Sequence, residues 1–185
     1  MELYRLEPAH CALLVVDIQE NLMRVIDGAE DVARNTVLLQ KSANVLKVPQ
    51  VPTTQYVARI GPLLPEVSAE LSGVVPLDKV EFDCFGNQEI AEAMKKLPAE
   101  INTLVICGVE THICIYQTVL GALMAGYRVW VPADAVSSRK PLNKEIGLER
   151  IREMGAVVAS TEMIIYEWLR KAGSPEFKAL LPFLK

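Results

Sequence analysis

Three polar residues stand directly after apolar runs in this chain. Asp17 ends ALLVV, Lys79 follows VVPLD, and Cys114 closes the segment GVETHIC that follows TLVIC. A carboxylate, an ammonium and a thiol form a coherent nucleophilic set if one fold brings them together. A free thiol with a pKa near ~8.5 is only a few per cent ionised at neutral pH. A nearby ammonium lowers that value, and a carboxylate can take the proton. The sequence places Cys114 in the first turn of a helix continuing IYQTVLGALMA, where unpaired backbone amides and the helix dipole favour a thiolate. Singly, each residue has a plainer explanation: a turn-forming Asp, a solvated Lys, a small core Cys. Their shared position just past strands gives the combination its weight, because ligands of open parallel sheets gather at the carboxyl ends of the strands.

Those strands must come from β-branched runs that alternate with amphipathic stretches, a pattern that argues for parallel strands joined by helical crossovers. The runs predict strands at about 11–17, 49–54, 74–78, 102–108, 127–133 and 156–160. Between them, 30–47 carries a helical apolar face at Val32, Ala33, Val37, Leu38, Val45 and Leu46. The segments 87–97, 112–125 and 142–154 behave alike, with a terminal helix at 161–171 and a tail helix at 175–184. Gly126 and Gly155 stand immediately before VWV-type and VVA runs, as expected for left-handed helix caps leading back into strands. Pro49 and Pro52 resist the scheme, since proline removes a ladder donor. Either the second strand is shorter than drawn or it bulges at Pro52.

With 185 residues, the chain suits one domain over 1–185, of a size that buries roughly 70% of the surface its unfolded form exposes. Half of it is apolar (51%) and the mean hydropathy is +0.23. Such values fit strands buried on both sheet faces, or apolar surface covered by a second copy, so a homo-oligomer, dimer or tetramer, is expected. A net charge of −4 without a basic cluster leaves no footprint for nucleic acid or an anionic membrane, and points to a small-molecule substrate. The opening MELYRLEPAHCALLVVDIQ reads as a first strand and not a secretion leader, because Asp17 interrupts it and neither a basic region nor a small-residue cleavage site accompanies it. No apolar stretch approaches the ~20 residues that span a bilayer. Cys11, Cys84, Cys107 and Cys114 form no CxxC pair, which fits a reduced, cytoplasmic protein.

The segments LLVVDIQENLM, LDKVEFDCF and LVICGVETHICIYQTVLGALMAGYRVWVPADAVSSR resemble the signature blocks of the isochorismatase-like hydrolases, a superfamily that includes nicotinamidases and carbamoylsarcosine amidases. The resemblance runs in order over nearly the whole chain. It implies a three-layer α-β-α fold, with a six-stranded parallel sheet in the order 3-2-1-4-5-6 and helices on both faces. It also implies an Asp17, Lys79, Cys114 triad, a cis peptide at Val109–Glu110, and an oxyanion hole made by the backbone amides of Glu110 and Cys114.

Gln55, Tyr56, Phe82, Phe85, Thr111 and His112 are the expected pocket residues, with His112 equally suited to capping its loop. Gln19 and Asn21 are expected to fix loops through backbone hydrogen bonds. Asp134, Ser137, Ser138 and Arg139 read as a hydrogen-bonded strand exit. Nicotinamidases hold zinc through histidines after the second strand; this chain has TTQYVARIGPLLPEV there, so no metal and no cofactor are expected. Asp83 and Cys84, in FDCF, stand where many relatives have Ser-Ala. The expected reaction is hydrolysis of a small amide-type C–N bond through a covalent cysteine intermediate. The alternatives are vinyl-ether hydrolysis of the isochorismatase type, or a non-catalytic oligomeric interaction module.

Overall fold

The computed structural model describes residues 4–184. Its strands are β1 Cys11–Val16, β2 Gln50–Gln55, β3 Leu77–Lys79, β4 Thr103–Val109, β5 Arg128–Pro132, β6 Val136–Ser137 and β7 Val157–Ala159. Its helices are α1 Glu20–Met23, α2 Ala29–Leu46, α3 Val57–Ile60, α4 Pro65–Ala69, α5 Gln88–Lys95, α6 Tyr116–Met124, α7 Pro141–Glu153, α8 Thr161–Leu169 and α9 Pro175–Leu180. The sheet is parallel throughout and ordered β3-β2-β1-β4-β5-β7, with β6 paired to β4.

The expected order of six strands is therefore present, with β7 in the sixth place, and β6 is an addition. β5 pairs with β4 only along Thr103–Val105, and after a short turn β6 takes up the ladder at Gly108 and Val109. Two residues carry no periodic signal, which is why the sequence reading merges them into a loop. Val74 and Val75, expected to begin the third strand, lie outside it and are exposed; β3 is a three-residue edge strand whose last residue is Lys79. Short edge strands resist unwanted pairing.

Pro52 neither shortens nor bulges β2. The register Leu13↔Gln50 to Val16↔Thr53 is unbroken. Leu13 N–H donates to the Pro49 carbonyl and Asp17 N–H to the Thr53 carbonyl, so odd-numbered residues of β2 face β1 and Pro52 faces the other side. There β3 begins only opposite Thr53. The donor that proline lacks has no strand to serve.

β1 and β4 are buried along their whole lengths, as strands covered on both faces must be. Leu13, Val15, Val105 and Cys107 pack under α2, α8 and α9, whereas Leu14, Val16, Leu104 and Ile106 pack under α5, α6 and α7. The alternation is the period-two geometry of a strand. At the carboxyl end of the central pair, a Cβ on Gly108 would lie 1.9 Å from the Val16 carbonyl oxygen, and its φ of +124° is one that side chains rarely adopt. Glycine at this position lets β1 and β4 deliver the two loops that follow them to one point.

Candidate active site

β1 ends at Val16, and Asp17 leaves it with a φ of +56°, a left-handed turn that Asp tolerates better than most residues. The turn-forming role and the chemical role thus fall on the same residue. The carboxylate is fully buried: Oδ1 accepts from Thr53 Oγ1 at 2.8 Å and Oδ2 from Lys79 Nζ at 2.7 Å. Lys79, from the neighbouring edge of the sheet, also donates to Gln55 Oε1 at 2.6 Å. Gln19 holds this end of β2 in place, its Nε2 donating to the Gln55 and Gly61 carbonyls and its Oε1 accepting from Gln55 N–H at 2.7 Å. It fixes loops, as the sequence reading expects.

Burial pushes the Asp17 carboxyl above its ordinary range, against the pull of Lys79 and the hydrogen bonds from Lys79 and Thr53. Burial alone would lower the Lys79 ammonium; the charge and hydrogen bond of Asp17, together with the nearby Cys114 and Cys84 thiols, outweigh it and hold the group above its ordinary value.

Cys114 is not in the first turn of a regular α-helix. Thr111–Ile115 winds as a π-helical turn that runs into α6, a widening found often at functional sites. The Val109–Glu110 peptide, which leads into this turn, is cis. The thiol lies close enough to the Asp17 carboxylate to feel its charge, and donates to Gln55 Oε1 at 4.0 Å. Burial first, and then the Asp17 charge, raise its pKa well above that of a free thiol, with Lys79 pulling the other way. This corrects the expectation of a resting thiolate. A helix terminus is worth about 0.3–1 kcal/mol to an anion, whereas burial can move an ionisable group by several pKa units of about 1.36 kcal/mol each.

Cys114 opens onto a cavity of about 340 Å³. Leu22, Val25, Ile26 and Ile60 form one part of its wall, and Phe82, Val109 and Ile113 another. Gln55, Glu110 and Arg139 complete it. Of the pocket residues expected from sequence, Gln55 and Phe82 line this cavity. The other four do not, and each is engaged elsewhere. Tyr56 begins α3 with a φ of +44° and carries the Arg59 guanidinium over its ring. Phe85 packs on Tyr127 with ring centroids 5.9 Å apart. Thr111 is buried, its methyl close to Gly147. His112 sits between Ser138 Oγ, 2.9 Å from Nδ1, and Asn143 Nδ2, 3.3 Å from Nε2. It therefore caps its loop.

Asp134 bonds Thr161, Ser137 bonds the Asp27 carbonyl, and both serve the strand exit as expected. Arg139 departs from that reading by lining the cavity. The sequence reading also misses the wall supplied by the loop after β1 and by α3. Four-residue helices such as α1 are too short to display a period, although Leu22, Val25 and Ile26 form an apolar cluster that Asp17 precedes closely. Asp83 caps the turn at Cys84–Gly86 by accepting from Phe85 N–H, and its carboxylate fills the space beside Gly121. Cys84 is fully buried, its thiol pushed up to about 12 by burial. Among the described residues, no group of three or more His, Cys, Asp or Glu could hold a metal ion.

The isochorismatase domain model matches residues 11–163. The secreted isochorismatase effector Isc1 of Phytophthora sojae is 36% identical over 184 residues, covering 98% of this chain and 87% of that protein. Among solved structures, MAR1 ribonuclease from Caenorhabditis elegans superposes with a TM-score of 0.90 at 26% identity, over 98% of this chain and 92% of that one. The YcaC gene product from Escherichia coli, described as an octameric hydrolase of unknown specificity, superposes with a TM-score of 0.91 at 23% identity, over 100% of this chain and 91% of that one.

Proposed function

The chain belongs to the isochorismatase family, and we propose that it is a cysteine hydrolase that cleaves a small amide-type C–N bond. The observation that carries the proposal is the meeting of a buried Asp17–Lys79 ion pair with the Cys114 thiol at the wall of one apolar cavity. The Asp17 carboxylate accepts the thiol proton as Sγ attacks the substrate carbonyl carbon. A C–S bond forms and the C=O π pair moves onto oxygen, which the backbone amides of Glu110 and Cys114 receive. Collapse of that oxyanion breaks the C–N bond, and Asp17 returns its proton to the leaving nitrogen. A water molecule, deprotonated by the same carboxylate, then attacks the thioester, giving a carboxylic acid and the thiol again. Lys79 keeps Asp17 charged against the burial that favours its neutral form.

The chain carries a net charge of −4, which suits a small molecule better than RNA. Four free cysteines fit a reducing compartment, and we read the protein as cytoplasmic and homo-oligomeric. Among the described residues, no helix is long and apolar enough to cross a membrane.

The test is intact-protein mass spectrometry after rapid quenching with a panel of small carboxamides. The expected result is an acyl adduct on Cys114, absent from Cys114→Ala, whose amide turnover is lost. Substantial turnover in Cys114→Ala with none in Asp17→Asn would replace the thioester route with acid-catalysed vinyl-ether chemistry. No turnover by the wild type on any substrate, with folding intact, would favour the interaction module.

A further inference from the structure

The charge arrangement at the cavity narrows the substrate beyond "small amide". Arg139 is, among the described residues, the one cation on the cavity wall, and its charge is already matched. Glu110, whose side chain is only 10% exposed, accepts from both the backbone N–H of Arg139 at 2.8 Å and its Nε at 3.1 Å. The carboxylate thus grips the main chain and the guanidinium together, and holds the side chain at the mouth. Gln55, the remaining polar side chain there, has its Oε1 occupied by Lys79 and its Nε2 by the Val80 carbonyl. Lys79 itself faces Asp17. The rest of the wall is aliphatic or phenyl.

A substrate carboxylate entering this cavity would lose its hydration without gaining a cation, and burying an uncompensated charge is strongly unfavourable. An alkyl group would meet a wall suited to it, in a volume at the small end of the ~300–1,000 Å³ typical of ligand pockets. We infer that the cavity selects uncharged acyl groups with a short, preferably branched alkyl chain, and that the Glu110–Arg139 pair is the specificity element that rejects anionic substrates. The inference rests on the hydrolase reading, and its neutrality counts equally against a dicarboxylate vinyl ether as the substrate.

The experiment compares 5-methylhexanamide with glutaramate, in which a carboxylate replaces the terminal isopropyl group. Two readouts are taken on the same protein: kcat/KM for ammonia release, and protection of Cys114 from iodoacetamide. The neutral amide is expected to be preferred on the order of 100-fold in both. Along acetamide, butyramide and pentanamide, kcat/KM should rise by about fourfold per methylene until the cavity is filled.

Glu110→Gln removes the matching charge and should improve protection by glutaramate about tenfold relative to the neutral amide. Arg139→Met, a change at a half-exposed side chain, leaves the Glu110 carboxylate unmatched and should weaken glutaramate further relative to the neutral amide. Equal use of both amides, or indifference of their ratio to both substitutions, would overturn the inference while leaving the hydrolase in place. Protection by the neutral amide alone, without turnover of either, would do the reverse: the cavity's preference would stand and the amidase reading would fall.

Discussion

Lys79 Nζ and Asp17 Oδ2 meet at 2.7 Å with both side chains shielded from solvent, across the width of β2. A buried pair of this kind contributes little net stability, yet breaking it from one side strands a charge. Lys79→Met should therefore destabilise the fold by about 3–5 kcal/mol at neutral pH, as read from urea unfolding. The same variant separates stability from chemistry. Asp17 must be ionised to take the thiol proton, and its pKa is already raised by burial despite Lys79. Activity should thus fall on the acid side at a pH above the ordinary Asp value of ~3.9. Without the ammonium the limb should move to still higher pH, so raising the pH should recover part of the lost rate. An unmoved acid limb in the pH–rate profile would mean that another group takes the proton.

Asp17→Asn should split two properties that a simple activated-thiolate picture joins. The ionised Asp17 raises the Cys114 pKa, while Lys79 lowers it. Replacing the carboxylate with a neutral amide removes the first influence and keeps the second, so the thiolate population at pH 7 should increase. Iodoacetamide should label Cys114 several-fold faster in the variant, even as hydrolysis disappears for want of a proton acceptor. In the wild type Cys114 should still be labelled before Cys11, Cys84 and Cys107, because it alone of the four lines the cavity and the others are fully buried. Slower labelling of the variant than of the wild type would contradict the charge assignment.

Much of this arrangement is legible in the sequence, and the failures have identifiable causes. Strand and helix placement follow from runs of six residues or more, where periodicity is strong: β1, β4, α2 and α7 fall within a residue or two of their expected bounds, while the strand order comes from the family resemblance. Asp17, Lys79 and Cys114 stand out as polar residues just past apolar runs, and the resemblance supplies their grouping as a triad. The electrostatic state of Cys114 is not legible, because burial decides it and burial depends on what packs above. Tyr56 and Phe85 read as apolar pocket walls in the sequence, but a left-handed turn at Tyr56 and the ring of Tyr127 take them elsewhere. Arg139 joins the site through Glu110, a contact between residues 29 positions apart.

Gly108→Ala tests whether the site depends on the close approach of β1 and β4. The added Cβ would sit 1.9 Å from the Val16 carbonyl oxygen and 2.9 Å from its nitrogen, both backbone atoms that have no rotamer to yield. The variant should lose about 3 kcal/mol or more of stability, or fail to accumulate as folded protein. Gly126→Ala meets nothing within 4 Å but has a φ of +90°, and should lose only about 1 kcal/mol. Comparable unfolding midpoints for the two would show that conformation, not crowding, governs Gly108.

Turnover should survive chelation. Both histidines are engaged away from the cavity, His10 with the Glu100 carbonyl and His112 with Ser138 and Asn143. After exhaustive dialysis against EDTA, elemental analysis and rate should be compared on one sample. Stoichiometric metal in the starting protein, with activity lost on removal and regained on return, would require a different assignment of the site.

Self-association should use α6 and α7. The tail is rich in apolar residues, with Trp168, Leu169, Phe177, Leu180, Leu181 and Phe183, but Trp168, Leu169 and Leu180 are buried in the core beneath α2. The tail is largely spent inside the protomer. The uncovered apolar side chains lie instead at Leu120 and Met124 on α6 and at Leu142 and Ile146 on α7, two helices packed side by side. Met124 is 81% exposed, more than any other large apolar residue among those described. A face of this kind on a stable protein is most simply covered by a second copy, related by symmetry so that each helix pair meets its equivalent. Light scattering coupled to size exclusion should give at least twice the protomer mass of 20.5 kDa at micromolar concentration. Met124→Glu combined with Ile146→Glu places like charges against each other across such an interface and should shift the mass toward that of one protomer. Circular dichroism should stay unchanged, because neither side chain contributes to the core. A wild-type mass of one protomer, or an oligomer indifferent to both glutamates, would move the interface elsewhere or remove it.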